Sequence, residues 1–176
     1  MMTAPIPANE AERIQALREL LILDTPPEER FDRITRVASA LFSVPIALIA
    51  LMEHDREWFK SCCGLADLQE VPRDHSFCSH AIFERKPLIV SNTLLDERFA
   101  DNPHVTGYPS VRFYAGHPLI LGSGSCVGTL CILDTKPRDL DETGLALRRD
   151  LGQFAVREMD SSKAAHHNTE PGLGDR

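Results

Sequence analysis

Six consecutive residues, His75-Ser76-Phe77-Cys78-Ser79-His80, gather the side chains of this chain best suited to chemistry. Two histidines and a thiol invite a metal reading first. On a helix advancing about 100° per residue, His75 and Cys78 lie roughly 60° apart, but Cys78 and His80 lie about 160° apart. The three cannot share one helical face, and no CxxC or HxxxH elsewhere completes a set of four ligands. The spacing therefore predicts no metal. Cys78 has a second chemistry open to it: beside a helix N-terminus the dipole would lower its pKa and favour the reactive thiolate. The plain alternative is a helix cap at Ser76 with Phe77 and Ala81 buried.

Arg112 stands just before an apolar run and has the geometry to clamp an anion with two hydrogen bonds. An ion pair with Asp96, Glu97 or Asp101 is the favoured reading of the two. Trp58 is a lone aromatic, of the kind that usually fills a core. The five cysteines include the neighbours Cys62 and Cys63, and read as reduced thiols packing as small hydrophobes. No P-loop, GxGxxG, GxSxG or HExxH is present.

The elements that must position these residues are organised around residues 107–135. Two apolar runs, Val111–Leu121 and Cys126–Leu133, flank Gly122-Ser123-Gly124-Ser125, which predicts a β-hairpin with a four-residue loop. Pairing outward sets Leu121 opposite Cys126, Leu119 near Gly128 and Ala115 near Ile132. Cys126, Gly128, Leu130 and Ile132 then share one face, and Val127, Thr129, Cys131 and Leu133 the other. Both sets are apolar, so both faces should be covered and the hairpin central. Pro118 predicts a bulge or an unpaired position.

Upstream, Asn9 caps an amphipathic helix carrying Ile14, Leu17 and Leu21. Thr25-Pro26-Pro27-Glu28 has the form of a capping box for a second helix, with Phe31, Ile34, Val37, Ala38, Leu41 and Phe42 on its stripe. Ile46–Met52 and Glu57–Cys63 read as strands. On the second, Trp58, Lys60 and Cys62 should share one face and Glu57, Phe59, Ser61 and Cys63 the other. A short helix from Ser76, a strand at Pro87–Val90 and an irregular connection over 91–111 follow. Asp139 or Asp141 caps a last helix with Leu140, Gly144, Leu147, Leu151 and Phe154 at seam spacing.

Arg112-Phe113-Tyr114-Ala115-Gly116-His117-Pro118-Leu119, followed by Gly128-Thr129-Leu130-Cys131-Ile132-Leu133-Asp134, resembles the paired-strand signature of bacterial GAF domains. The resemblance is nearest to those fused to sensor histidine kinases and diguanylate cyclases. It extends to Asp24–Asp32, Asp55–Ser61 and Ser76–Ile82, and covers about residues 10 to 158. It implies an α+β fold, an antiparallel sheet of five or six strands with helices on both faces. It also implies a regulatory, ligand-sensing or dimerising role. Some GAF proteins are free methionine-sulfoxide reductases, and their cysteine-bearing segment before the third helix matches Cys78. Their catalytic cysteine lies in the connection before the paired strands, where residues 91–111 here have none. The bilin-binding pattern, cysteine followed directly by histidine, is not met at Cys78-Ser79.

The chain's 176 residues, 43% hydrophobic and 26% charged, suit one soluble domain. A net charge of −7, from 19 basic and 26 acidic residues, disfavours nucleic acid and anionic membranes as partners. The N-terminus lacks the features of a signal peptide, and no apolar run approaches a membrane span. The expectation is a disordered segment over 1–8, one domain over 9–160 and a disordered tail over 161–176. The domain should be cytoplasmic, homodimeric through terminal helices (9–23 and 140–158) packed together, and act on a kinase or cyclase in trans. It should have no cofactor and no catalysis. A redox enzyme or thiol sensor using Cys78, and a ligand-free dimerisation scaffold, are the two alternatives. A pocket should lie between the sheet and a lid of residues 76–82 and 91–111, approached by Phe77, Cys78, His80, Asn102, Arg112, Phe113 and Tyr114.

Overall fold

The computed structural model describes residues 1–167. Its helices are α1 (Glu10–Glu19), α2 (Glu29–Phe42), α3 (Cys78–Glu84), α4 (Pro103–Thr106) and α5 (Glu142–His167). Its strands are β1 (Ile46–Met52), β2 (Arg56–Cys63), β3 (Glu70–Pro72), β4 (Leu88–Val90), β5 (Phe113–Ile120) and β6 (Cys126–Asp134). They form one sheet in the order β3-β2-β1-β6-β5-β4, antiparallel at every pairing. The fold is the α+β arrangement the resemblance implies, with β6 near the centre.

All seven residues of β1 and all nine of β6 are buried, as strands covered on both faces must be. One face meets α1, α2 and α5 through Leu17, Phe31, Ile34, Trp58, Phe113, Leu130 and Met159. The other meets α3 and the 91–111 connection through Leu48, Phe59, Phe77, Phe99, Val111, Tyr114 and Cys131. A tyrosine and a phenylalanine adjacent in sequence thus serve opposite faces, as the two-residue period of a strand requires.

Two bulges alter the expected pattern. In the hairpin, Leu119 pairs with Gly128 and Ala115 with Ile132 as predicted, but Ile120, not Leu121, opposes Cys126. Val127 is the extra residue; it packs with the helices while Cys126 packs with the lid side. Gly128 is required here, since a Cβ would lie 1.9 Å from the Ala50 carbonyl oxygen. In β2, Ala50 opposes Phe59 and Ile49 opposes Ser61, so Lys60 is bulged. Its ammonium, fully buried, meets Glu28 at 2.6 Å, Thr25 at 2.7 Å and the Pro26 carbonyl at 3.0 Å. Ser61 then faces α2, bonding Thr35 and Asp32, and Cys62 turns to the lid side. The predicted sets Trp58/Lys60/Cys62 and Glu57/Phe59/Ser61/Cys63 are corrected accordingly. β4 pairs only as far as Leu88 opposite Gly116, which leaves Pro118 beyond the strand that would need its donor.

The helices bring further corrections. Thr25 forms no capping box: its hydroxyl donates to the Ile22 carbonyl, and α2 starts after Glu28 without a side-chain cap. Asp141 does cap α5, accepting from Gly144 N at 2.7 Å. Helix α5 packs along α2, where Arg30 reaches the Glu158 carbonyl and Ser162 at one end and Arg138 the Phe42 and Ser43 carbonyls at the other. It also meets the other terminal helix, Lys163 pairing with Glu19 of α1 at 2.8 Å. α1 is fixed over the sheet end, where buried Arg13 donates to the Met52 carbonyl at 2.7 Å. Residues 1–8, expected to be without order, lie on the lid: Met2 N donates to the Arg98 carbonyl and Ala4 is buried. Helix α5 continues through residues 161–167 of the expected tail, and the remainder of that tail lies outside the described residues. No described helix is long and apolar enough to cross a membrane.

Candidate functional site

Between the sheet and its irregular cover lies a cavity of about 40 Å³, room for about three waters. Its floor is β1, β2, β5 and β6, contributing Leu48, Glu57, Phe59, Tyr114, Cys131 and Leu133. Its cover comes from 65–71, from the turn into α3 and from the stretch around α4. The surface facing this space is almost wholly apolar, with several polar side chains among the residues that line it.

Those polar groups are centred on Cys78. Its sulfur accepts from the Tyr114 hydroxyl at 3.1 Å and from the Thr129 hydroxyl at 2.9 Å, and lies 3.9 Å from the Cys131 sulfur. The carboxyl of Glu57, 3% exposed, lies near Cys78 and Ser76, both of which act to lower its pKa. Burial nevertheless holds the Glu57 carboxyl above its ordinary range, and it pushes the Cys78 thiol well above its own. Cys78 stands at the first position of α3, yet loss of solvation outweighs whatever seven residues of helix dipole provide. The thiolate expected from the helix terminus is therefore not what this site favours.

At the mouth, His75 and His104 meet edge to face with ring centroids 6.1 Å apart. Burial lowers the His104 pKa, and a hydrogen bond to the Tyr108 backbone opposes this. Its Nε2 is buried without a partner among the described residues. Among the described residues no group of three or more histidine, cysteine, aspartate and glutamate side chains is placed to hold a metal ion.

Of the seven residues read from the sequence as approaching the pocket, Phe77, Cys78 and Tyr114 line it. Phe77 stacks on Tyr114 at 5.1 Å and on Phe99 at 4.6 Å, so these rings fill part of the space without closing it. His80, Asn102 and Arg112 build the cover instead. His80 packs edge-on against Phe99 and meets the Met2 carbonyl at 3.0 Å. Asn102 caps α4 through His104 N and donates to the His75 carbonyl at 2.9 Å. Arg112 donates through Nη1 to the Val105 and Val111 carbonyls, and among the described residues it pairs with none of the carboxylates expected as its partner. Phe113 is corrected outright: strand alternation puts it in the core against the helices. Glu57 and His104 were not singled out from the sequence. The signal for Glu57 was its shared parity with Phe59, a carboxylate on an otherwise apolar strand face. His104 carried none, because its position depends on the irregular path of 91–111.

The GAF domain family model matches residues 26–158. Over 172 residues the chain is 36% identical to a cyclic di-GMP phosphodiesterase of Pseudomonas aeruginosa, aligning 97% of this chain with 29% of that protein. The chain thus spans under a third of that relative's length. Among solved structures, the free methionine-R-sulfoxide reductase of Neisseria meningitidis superposes with a TM-score of 0.63 at 16% identity, covering 94% of this chain and 98% of that one. The GAF domain of an Acinetobacter phosphoenolpyruvate-protein phosphotransferase gives 0.59 at 15%, covering 89% and 96%. At these identities the structural likeness concerns the fold.

Proposed function

Since this chain belongs to the GAF family, we propose that it is a regulatory module of signal transduction that senses a small molecule in the cavity beneath its irregular cover. The cavity itself carries the reading: an apolar wall with Glu57, Ser76, Cys78, Tyr114 and His104 among its lining residues is how ligand sites combine affinity with orientation. Its polar groups also favour one class of ligand. No lysine or arginine lines the cavity, while Glu57 is among its lining residues. A phosphate would have no counter-charge there and would face a carboxylate. The ligand is a small uncharged or cationic molecule, and anything much larger than three waters requires the cover to move. The identity to a phosphodiesterase supports an output directed at cyclic di-GMP turnover. Catalysis within the chain is not part of the proposal, because Cys78 is a buried hydrogen-bond acceptor and residues 91–111 supply no second thiol.

Thermal unfolding with imidazole, methylamine and cyclic AMP as separate probes tests the ligand class. Imidazole or methylamine should raise the midpoint of the natural protein and leave that of Glu57→Leu unmoved. Stabilisation by cyclic AMP that Glu57→Leu abolishes would place a phosphate ester in the cavity and end the reading.

A further inference from the structure

Where α5 crosses β5, on the opposite side of the sheet from the cavity, a cation is buried without a counter-ion among the described residues. Arg148 is 1% exposed, and among the described residues its Nε and Nη1 have no hydrogen-bond partner. His117 on β5 has its Nδ1 buried and equally without one. Gly152, one turn beyond Arg148, allows the close approach: a Cβ there would lie 2.7 Å from the His117 ring. Two open grooves meet at His117. One, of about 420 Å³, is lined by Arg148, Arg149 and Glu142; the other, of about 460 Å³, by Arg85 and Arg157.

The charge balance is opposite to that of the molecule. Four arginines and a histidine face a single carboxylate, Glu142, in a chain of net charge −7. Two of the arginines have partial partners: Arg85 donates to the Gly124 carbonyl, and exposed Arg149 meets Asp150 at 3.4 Å. Arg148 has neither. Burying a guanidinium with idle N–H groups is costly unless an anion or hydrogen bonds offset it. The local potential is positive enough that His117, already depressed by burial and further by Arg148 and Arg149, is held down to about 4.

We propose that this groove binds an oxyanion, the carboxylate or phosphate group of a small molecule, seated on the Arg148 guanidinium beside His117. Arginine is the side chain whose donors match either group. The site is separate from the cavity under the cover, which is lined by no arginine and carries Glu57.

The test is NMR of the arginine Nε–H signals during titration with inorganic phosphate and, separately, with acetate, ionic strength being held constant with chloride. One arginine signal, missing from Arg148→Met, should shift saturably with at least one of the two ions. Phosphate alone would identify a phosphoryl ligand, acetate alone a carboxylate, and both a general oxyanion site. Arg148→Met should weaken binding at least about tenfold, the factor expected for losing a hydrogen bond to a charged group. Arg149→Gln should retain the saturable shift. If Arg148→Met does not fold, Arg148→Lys serves, keeping the charge but losing the planar fork, and should bind more weakly. No saturable shift with either ion, or affinity unchanged in the Arg148 variant, would overturn the proposal.

Discussion

A thiol attacks only as thiolate, and burial, the adjacent Cys131 and the acidic Glu57 favour the protonated form of Cys78, outweighing the two hydroxyls that donate to its sulfur. It is 2% exposed, accepts two hydroxyl hydrogen bonds, and faces the acidic Glu57 rather than a cation. In the native protein, iodoacetamide should therefore modify half-buried Cys62 and Cys63 at least roughly tenfold faster than Cys78, since Cys78 reacts only through local opening. Peptide mapping of a labelling time course decides this; equal rates would mean that Cys78 is accessible. For the same reason no turnover of free methionine sulfoxide with thioredoxin is expected. Activity abolished by Cys78→Ser would make that residue catalytic.

At the scale of elements, Glu10 joins α1 to the far end of the sheet. It pairs with Arg13 at 2.9 Å and contacts Arg73, which also donates to the Glu53 and His54 carbonyls. Burial alone would raise the Glu10 pKa; the hydrogen bonds and charges of Arg13 and Arg73 outweigh it and bring it down to about 2. A lowered carboxyl pKa stabilises the fold above the ordinary carboxylate range, and that stability is lost as pH falls through about 2. Glu10→Gln should cost about 2–3 kcal/mol at pH 7 and flatten the acid limb, because it also leaves buried Arg13 and Arg73 without their carboxylate. Equal urea midpoints for the two proteins at pH 7 would show the network to be without weight. None of this was legible in the sequence, which gives no means of pairing residues 10, 13 and 73. The hairpin around Gly122–Ser125 was legible, because turn residues and alternation act over a few neighbours. Legibility failed at Lys60 and Val127, where bulges reverse the alternation, and at Thr25, whose hydroxyl serves Ile22 and buried Lys60 instead of a helix.

Over the whole molecule, the large apolar residues left exposed include Val37 and Leu41 on α2, Leu21 beside α1 and Phe154 on α5, each at least 44% exposed, with Leu94, Leu95 and Tyr108 exposed elsewhere. Leu151, once part of the expected seam, belongs to the protein's own core. We therefore expect a homodimer through the α2–α5 face, with Phe154 and partly exposed Leu147 at its centre. Sedimentation at micromolar concentration should give a dimer that Phe154→Glu converts to monomer; a monomer throughout would remove this interface. The sequence anticipated the cavity's existence and three of its lining side chains, because Phe77, Cys78 and Tyr114 lie in or beside regular elements. It misjudged His80, Asn102, Arg112 and Phe113, three of which hold an irregular cover together. The claim that this cover encloses a ligand site is tested most directly by native mass spectrometry of the protein purified without denaturation. The account predicts a small non-covalent adduct on the natural protein that is absent from Glu57→Leu. The bare chain mass in both, from equally folded samples, would contradict it and leave a scaffold without a ligand.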